Sequence, residues 1–421
     1  MMADIKRKVP NLRFKGFTDD WEQRKLGDEY KHIGNAFVGT ASPYYTQNGY
    51  FYLESNNIKN GQINHDHEVF INESFYHKQL NKLLHTGDLV MVQSGHVGDT
   101  AVITEKYNGT AAHALIMFRK PQNNMLSFFL NSFFQSSNAK NRIDVLAIGN
   151  TIRHILASDM KKFVVYLPDN KEKVEVVELF LELQKLISLQ QRKLDLLKQL
   201  KKGLLQKMFA AEKNSKQPAL RFKEFHDDWE QRKLASLFTK FTDGDWIESK
   251  DQASSGIRLV QTGNIGITEF INKFGNEKWI SEETFKKLNC EEIFPGDIII
   301  SRLPDPAGRA CILPKLKTRM ITAVDCTIAR TSRETSAEFI VQYLSTQTYF
   351  KYVQSCLAGG TRQRISRKNL ADFNVSIPTD IKEQKQIGDF FKQLDSLIAL
   401  HQRKQNHLKL LKKSLLQQMF M

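Results

Sequence analysis

Residues 187–209 read ISLQQRKLDLLKQLKKGLLQKMF, and residues 398–420 read IALHQRKQNHLKLLKKSLLQQMF. Upstream of the first, LRFKGFTDDWEQRKL runs from Leu12 to Leu26 and returns as LRFKEFHDDWEQRKL from Leu220 to Leu234, changed only at Gly16/Glu224 and Thr18/His226. Two matches in the same order mean a tandem duplication with a period of roughly 210 residues, too long for a solenoid and suited to two domain-sized units. A chain with an approximate internal two-fold suits a target that itself has two halves.

The repeated basic stretches belong to long helices. Glu172 to Phe209 contains no Pro and a single Gly, Gly203. Apolar residues fall at Val176, Phe180, Leu183, Ile187, Leu194, Leu197, Leu204 and Met208, and Gln190 and Lys201 occupy the two missing places of a four–three rhythm. That is a heptad seam. The second copy keeps the phase at Ile387, Phe391, Leu394, Ile398, His401, Gln405, Leu408, Lys412, Leu415 and Met419. Polar layers therefore recur, Gln190 with His401 and Lys201 with Lys412. About 38 residues at 1.5 Å rise give a rod of roughly 57 Å. Because helix one leads directly into the second globular unit, a closed two-fold arrangement requires helix two to run back antiparallel.

The chain has 421 residues, of which 41% are hydrophobic and 10% aromatic, as expected of folded domains. Lys and Arg number 61 against 46 Asp and Glu, and the net charge of +15 implies a polyanionic partner, nucleic acid before a membrane surface. The start, MMADIKRKVP, lacks the apolar stretch of a signal peptide, so a cytoplasmic location is expected. Cys290, Cys311, Cys326 and Cys356 are widely spaced and expected to be reduced.

The expected fold class is α+β: two mixed α/β globular domains and two long helices forming an antiparallel coiled coil. The corresponding boundaries are an N-terminal tail (1–11), domain one (12–170), helix one (171–210), a linker (211–219), domain two (220–380) and helix two (381–421). Inside the domains, Asp88–Val92 and Asp297–Ser301 are strand-like runs entered by Gly87-Asp88 and Gly296-Asp297, and each is followed by a further glycine, Gly98 or Gly308. Between these landmarks the two copies diverge. A shared scaffold with different loops is what two readers of different sequences need.

The motifs of chemistry are missing. No GxxxxGK[ST] phosphate loop occurs, nor a Pro-Pro dipeptide such as the target-gripping loop of a DNA amino-methyltransferase needs, nor a Gly-rich loop for S-adenosylmethionine. Pro168-Asp169 followed by Glu172-Lys173 echoes nuclease motifs too tightly spaced to work, and reads as the loop into helix one. His65, His67 and His77 lack partners at zinc spacing and read as solvated loop residues. No catalytic residue and no metal site is assigned. Phe14, Phe17 and Trp21, with Phe222, Phe225 and Trp229, suit core packing, with a partner-binding patch as the alternative.

Side chains that read bases and hold phosphates are abundant in Gly-punctuated loops. The loop before helix two carries Thr361, Arg362, Gln363, Arg364 and Lys368, and its counterpart carries Asn150, Thr151, Arg153 and His154. Polar tips follow the strands at Gln93, Ser94 and His96 in unit one, and at Asp245, Trp246, Lys250, Arg302 and Arg309 in unit two. Arg and Gln make bidentate contacts to guanine and adenine edges, while Thr and Lys suit phosphates. The duplicated loop is expected to hold phosphate; base reading is expected at Gln93, His96, Trp246, Arg302 and Arg309.

The order unit–helix–unit–helix, the openings of the type FxGFxxxWEQRKLG, the passages GNTIRHI…LPDNKEK and GGTRQRIS…IPTDIKEQKQI and the helices ending LLKQLKKGLLQKMF resemble the DNA-specificity subunit of type I restriction–modification enzymes over essentially the whole chain. One departure is Lys173-Val174 where the second copy has Glu383-Gln384-Lys385. The resemblance implies a non-catalytic subunit whose two domains each read one half of a bipartite, asymmetric site in double-stranded DNA, with the helices as a ruler for the unread gap. It implies two methyltransferase subunits that methylate adenine, and motor–nuclease subunits that join for cleavage. It places S-adenosylmethionine, and ATP with Mg, on those partners and none on this chain. A coiled-coil adaptor and a free-standing DNA-binding regulator are the alternatives.

Overall fold

Each opening segment forms a short strand that pairs antiparallel with the strand leading into a long helix: Glu22–Lys25 with Val164–Leu167, and Glu230–Lys233 with Asn374–Ile377. The computed structural model describes residues 9–149, 153–209, 216–304, 306–360 and 363–421. The chain divides into two compact units, Met1–Gln191 with Arg403–Met421, and Arg192–Gln402. Each unit therefore owns one half of each long helix.

A buried ion pair fastens every opening segment to the first turn of its helix. In unit one Arg13 donates from Nε and Nη2 to the two Glu172 carboxylate oxygens at 2.6 and 2.8 Å, and the Trp21 indole donates to the same carboxylate at 3.0 Å. In unit two Arg221 binds Glu383 at 2.6 and 2.8 Å, with Trp229 donating at 3.3 Å. Glu172 and Glu383 are 0% and 1% exposed, so three charge-assisted hydrogen bonds stand in for the lost water. Trp21 and Trp229 are buried, and Phe14 and Phe222 pack against the same two cores, which makes these aromatics structural. Just upstream, Asp169 accepts from the Lys171 and Glu172 N–H groups at 2.7 and 2.9 Å, and Asp380 accepts from that of Lys382 at 2.8 Å. The Pro168-Asp169 run is thus a helix cap. Glu172 and Glu383 do the same work, so the long helices align at an offset of 211 (383 − 172), and the departure read at Lys173-Val174 is a difference in residue type against Gln384-Lys385 with no shift of register.

The first long helix spans Asn170–Phe209 and the second Ile381–Gln418. Within unit one Phe180 stacks on Phe420, Lys412 donates to Gln184 at 2.7 Å and Gln405 donates to Gln191, so the two segments run antiparallel. Within unit two Lys201 pairs with Asp395 at 2.5 Å and Phe209 packs 5.4 Å from Phe391, again antiparallel. The seam is buried at Val176, Phe180, Leu183, Ile187, Gln190 and Leu194, and at Ile387, Phe391, Leu394 and Gln405. The terminal Met208-Phe209 and Met419-Phe420 pairs enter the cores of units two and one respectively. The two seam lysines have different partners: Lys201 has the Asp395 carboxylate, whereas among the described residues Lys412 donates to the amide oxygens of Gln184 and Gln135, at 2.7 and 2.8 Å. Burial, with the nearby Lys140 charge, pushes the Lys412 ammonium down to about 8.

Unit one holds an antiparallel sheet in the order Tyr30–Asn35, Leu115–Pro121, Leu89–Val92, Thr100–Val102, and unit two repeats it as Phe238–Asp243, Cys326–Thr331, Ile298–Ser301, Ala310–Ile312. The central strands Leu89–Val92 and Ile298–Ser301 are buried throughout. One face of each sheet packs on helices (Leu126–Phe134 and Ser137–Leu146; Ala337–Tyr343 and Gln347–Ser355). The other face packs on a second sheet, of four strands in unit one and five in unit two. The paired glycines have physical reasons. Gly87 and Gly296 turn at φ +90° and +95°, and a Cβ on Gly98 or Gly308 would meet Ile143 at 2.9 Å or Val353 at 2.8 Å. All four cysteines are free thiols.

Glu383→Ala leaves Arg221 and Trp229 unpaired beneath the helix and should cost about 3–5 kcal/mol of unfolding free energy in urea titrations; a loss below about 1 kcal/mol would show the pair to be dispensable. The Lys412 pKa is about 8 in the fold against an ordinary 10.5, so the unfolded chain binds more protons between those values. The penalty is present in full below pH 8, and stability should rise with pH across that window. Lys412→Met should abolish that part of the slope, on the order of 2–3 kcal/mol over the window; identical slopes in both proteins would refute the assignment.

Candidate nucleic-acid interface

The strand tip and the loop ahead of the long helix, distant in sequence, are held together by the same ladder in both units. In unit one Ile155 N–H donates to the Gln93 carbonyl at 3.0 Å and Gly95 N–H to that of Arg153 at 3.1 Å, while Ile148 and His154 exchange backbone bonds at 2.9 and 2.8 Å. In unit two Ile365 N–H donates to the Arg302 carbonyl at 3.1 Å, and Ala358 and Arg364 exchange bonds at 3.1 and 2.9 Å. The ladder makes Gln93 equivalent to Arg302, and His154 equivalent to Arg364.

In unit one the structure thus brings Gln93, Ser94, His96, Arg153 and His154 into one neighbourhood. His96 is exposed, and its ring nitrogen lies 3.1 Å from the Ser55 carbonyl and 3.3 Å from that of Ile58. Arg153 pairs with Asp144 at 3.0 Å, and both line a cavity of about 210 Å³ with His96, Lys140 and Gly98. Asn150 and Thr151 lie outside the described residues, as do Thr361 and Arg362 in unit two.

In unit two the tip is Asp245-Trp246. Asp245 is anchored: its carboxylate accepts from Glu291 N–H at 2.9 Å, its backbone bonds Thr322 and Val324 at 2.8 Å, and burial raises its carboxyl above the usual range. Trp246 is presented: its ring is 70% exposed, and its indole N–H reaches only Glu248, at 3.2 Å. Lys250 is exposed and also pairs with Glu248, at 2.7 Å. Gln363, Arg364 and Lys368 are exposed, with Arg364 3.8 Å from Asp325.

Arg302 and Arg309 are not presented. Arg309 is 9% exposed, and its guanidinium donates to the carbonyls of Ile265, Leu303, Pro306 and Thr262 at 2.6–2.9 Å. Arg302 is 7% exposed, donates to the Val324 carbonyl at 2.6 Å and lies 3.6 Å from Asp243. Their expected base-reading role is replaced by a structural one: Arg309 satisfies four converging loop carbonyls, and Arg302 is buried between the Val324 carbonyl and Asp243. Two surface positions escaped the sequence reading. Arg367, beside Asp243 at 3.7 Å, lies in the same basic run as Arg364. Val38, 63% exposed, follows Phe37, whose bridge to His113 matches that of Asp245 to Ala323, so Val38 and Trp246 occupy equivalent tips. Only the second tip has a chemical signal in the sequence.

His65 bonds Glu68 at 2.5 Å and Tyr107 at 2.7 Å, and among the described residues no group of three His, Cys, Asp or Glu is placed to hold a metal ion. Among them also, no helix is long and apolar enough to cross a membrane.

A family model described as the type I restriction modification DNA specificity domain matches residues 18–199 and again residues 226–410. The chain belongs to this family. The family is the non-catalytic specificity component of type I restriction–modification systems. The MjaVIII specificity subunit of Methanocaldococcus jannaschii is 21% identical over 94% of this chain and 91% of that one. The EcoKI specificity subunit of Escherichia coli strain K12 is 22% identical over 81% and 74%. The crystal structure of the type I restriction–modification S subunit from M. genitalium shares the fold, with a TM-score of 0.64 at 14% identity, covering 98% of this chain and 99% of that one.

For this specificity-subunit chain, buried and presented residues should separate in a stability measurement. Arg309→Ala strands four carbonyls and should destabilise by about 2–4 kcal/mol, whereas Trp246→Ala should change stability by less than about 0.5 kcal/mol. Equal losses by chemical denaturation would mean that the tryptophan is structural as well.

Proposed function

We propose that this chain is the DNA-reading subunit of a type I restriction–modification complex, each unit reading one half of a bipartite, asymmetric site and the long helices setting the unread gap. The supporting observation is the common ladder that presents different side chains in the two units. The backbone frame is the same, while unit one carries Gln93 and His154 where unit two carries Arg302 and Arg364. Exposed Arg364, Arg367 and Lys368 suit phosphates, and the exposed tips suit base edges. The net charge of +15 supplies the long-range attraction.

Two methyltransferase subunits, acting on adenine, are the proposed permanent partners, with motor–nuclease subunits in the full complex. A second, solvent-facing row of leucines supports repeated docking. Unit one exposes Leu186 and Leu189 on the first helix, and unit two exposes Leu397 and Leu400 at the equivalent places of the second. S-adenosylmethionine, and ATP with Mg, are assigned to those partners.

Binding titrations test the division of labour. Arg364→Ala should weaken matched and mismatched duplexes alike and lower the salt slope by about one unit, whereas Trp246→Ala should cost about 1–3 kcal/mol and relax preference at one position. The reverse pattern would overturn the assignment. Exchanging residues 220–370 for those of a related subunit should change one half-site alone, and a change in both would refute modular reading.

A further inference from the structure

Unit two carries a groove of about 950 Å³ between residues 198–209 of the first long helix and the start of the helix Gln347–Ser355. Its floor is apolar, with Leu205, Phe209, Phe350 and Ile398, and its rim carries Lys198, Lys202 and Lys351. A fourth lysine, Lys201, is already paired with Asp395. Among the described residues no Asp or Glu lines the groove, and no carboxylate lies within ion-pair distance of the three rim lysines. None of the residues at the DNA-reading tips lines it either.

The same place in unit one is bridged. Strand pairing makes Tyr166, opposite Gln23, the counterpart of Ser376, opposite Gln231. Tyr166 reaches over to Gln23 at 3.4 Å, whereas Ser376 and Gln231 leave open space in the groove. The helix caps Ser136 and Thr346 likewise make Gln135 the counterpart of Ser345. Gln135 is joined to Lys412 at 2.8 Å, across the gap that Ser345 leaves open to Lys201. The groove therefore arises from two large-to-small differences between the copies, and its occupant engages unit two without engaging unit one in the same way.

We propose that this groove takes an acidic, apolar-anchored segment of a partner polypeptide, bound once per chain. An apolar floor ringed by unpaired ammonium groups complements a peptide with bulky apolar side chains on one face and carboxylates on the other. A nucleic-acid backbone offers the charge but nothing for Phe209, Phe350 and Leu205 to bury. The inference is independent of which residues read DNA.

The test uses the full chain and a labelled synthetic amphipathic peptide with Leu and Phe on one helical face and Glu on the other, followed by fluorescence anisotropy. Ser345→Gln with Ser376→Tyr transplants the bridging residues of unit one, and Lys198→Gln with Lys202→Gln and Lys351→Gln removes exposed charge without touching the core. Each variant should weaken the peptide by about tenfold or more while duplex DNA binding stays unchanged. The proposal is overturned if the unaltered chain does not bind the peptide, if both variants bind it as before, or if a peptide with Lys in place of Glu binds equally. It is also overturned if DNA affinity falls in parallel in the lysine variant, which would assign the groove to nucleic acid.

Discussion

Everything in each unit hangs between the two ends of one buried ion pair. Arg13 and Glu172, or Arg221 and Glu383, join the opening of a domain to the first turn of its long helix, and the Trp indole completes the carboxylate's hydrogen bonds. The adjoining two-stranded ribbon closes the same gap by backbone pairing. An unpartnered carboxylate at that depth would be costly, so opening segment and helix start have to be kept as a set. Roughly 140 residues lie between these fixed ends, and their ordering is decided elsewhere, which leaves their loops free to diverge. The duplication is visible at the ends of each unit and faint in its middle for this reason.

The helical seam shows how a duplication tolerates drift. Gln184 and Asp395 are equivalent, as are Lys201 and Lys412, yet one pairing is an ion pair and the other a lysine held by two amides. A carboxylate compensates a buried ammonium better than amide dipoles do, and the depressed Lys412 pKa records the difference. Both arrangements preserve the same antiparallel register, because the flanking apolar layers set it and the polar layers have only to be satisfied. The two copies thus share geometry without sharing chemistry, and the groove beside Ser345 and Ser376 is a further consequence of that freedom.

At the candidate interface, exposure separates residues that look alike in sequence. Arg302, Arg309, Arg364 and Arg367 all sit in loops or at a helix start, and all have the chemistry to read a base or hold a phosphate. The first two are buried, Arg309 among four backbone carbonyls and Arg302 between a carbonyl and Asp243, and the last two face solvent. A loop that folds back on itself gathers unpaired carbonyls, and an arginine with five donors satisfies them better than any other side chain. That requirement is invisible one residue at a time.

The repeat, the heptad phase and the α+β class were all determined by the sequence itself. Each rests on periodicity or local conformation, as with Gly87 and Gly296, whose positive φ any tight turn at that place demands. Only the tertiary structure decided that Glu172 locks the opening segment to its helix, that Arg302 and Arg309 are buried in unit two, and that Val38 matches Trp246. It also decided that Lys412 lacks the carboxylate that Lys201 enjoys. These are contacts between residues as much as 277 positions apart, and what a charged side chain does there depends on which groups the fold brings within hydrogen-bond reach.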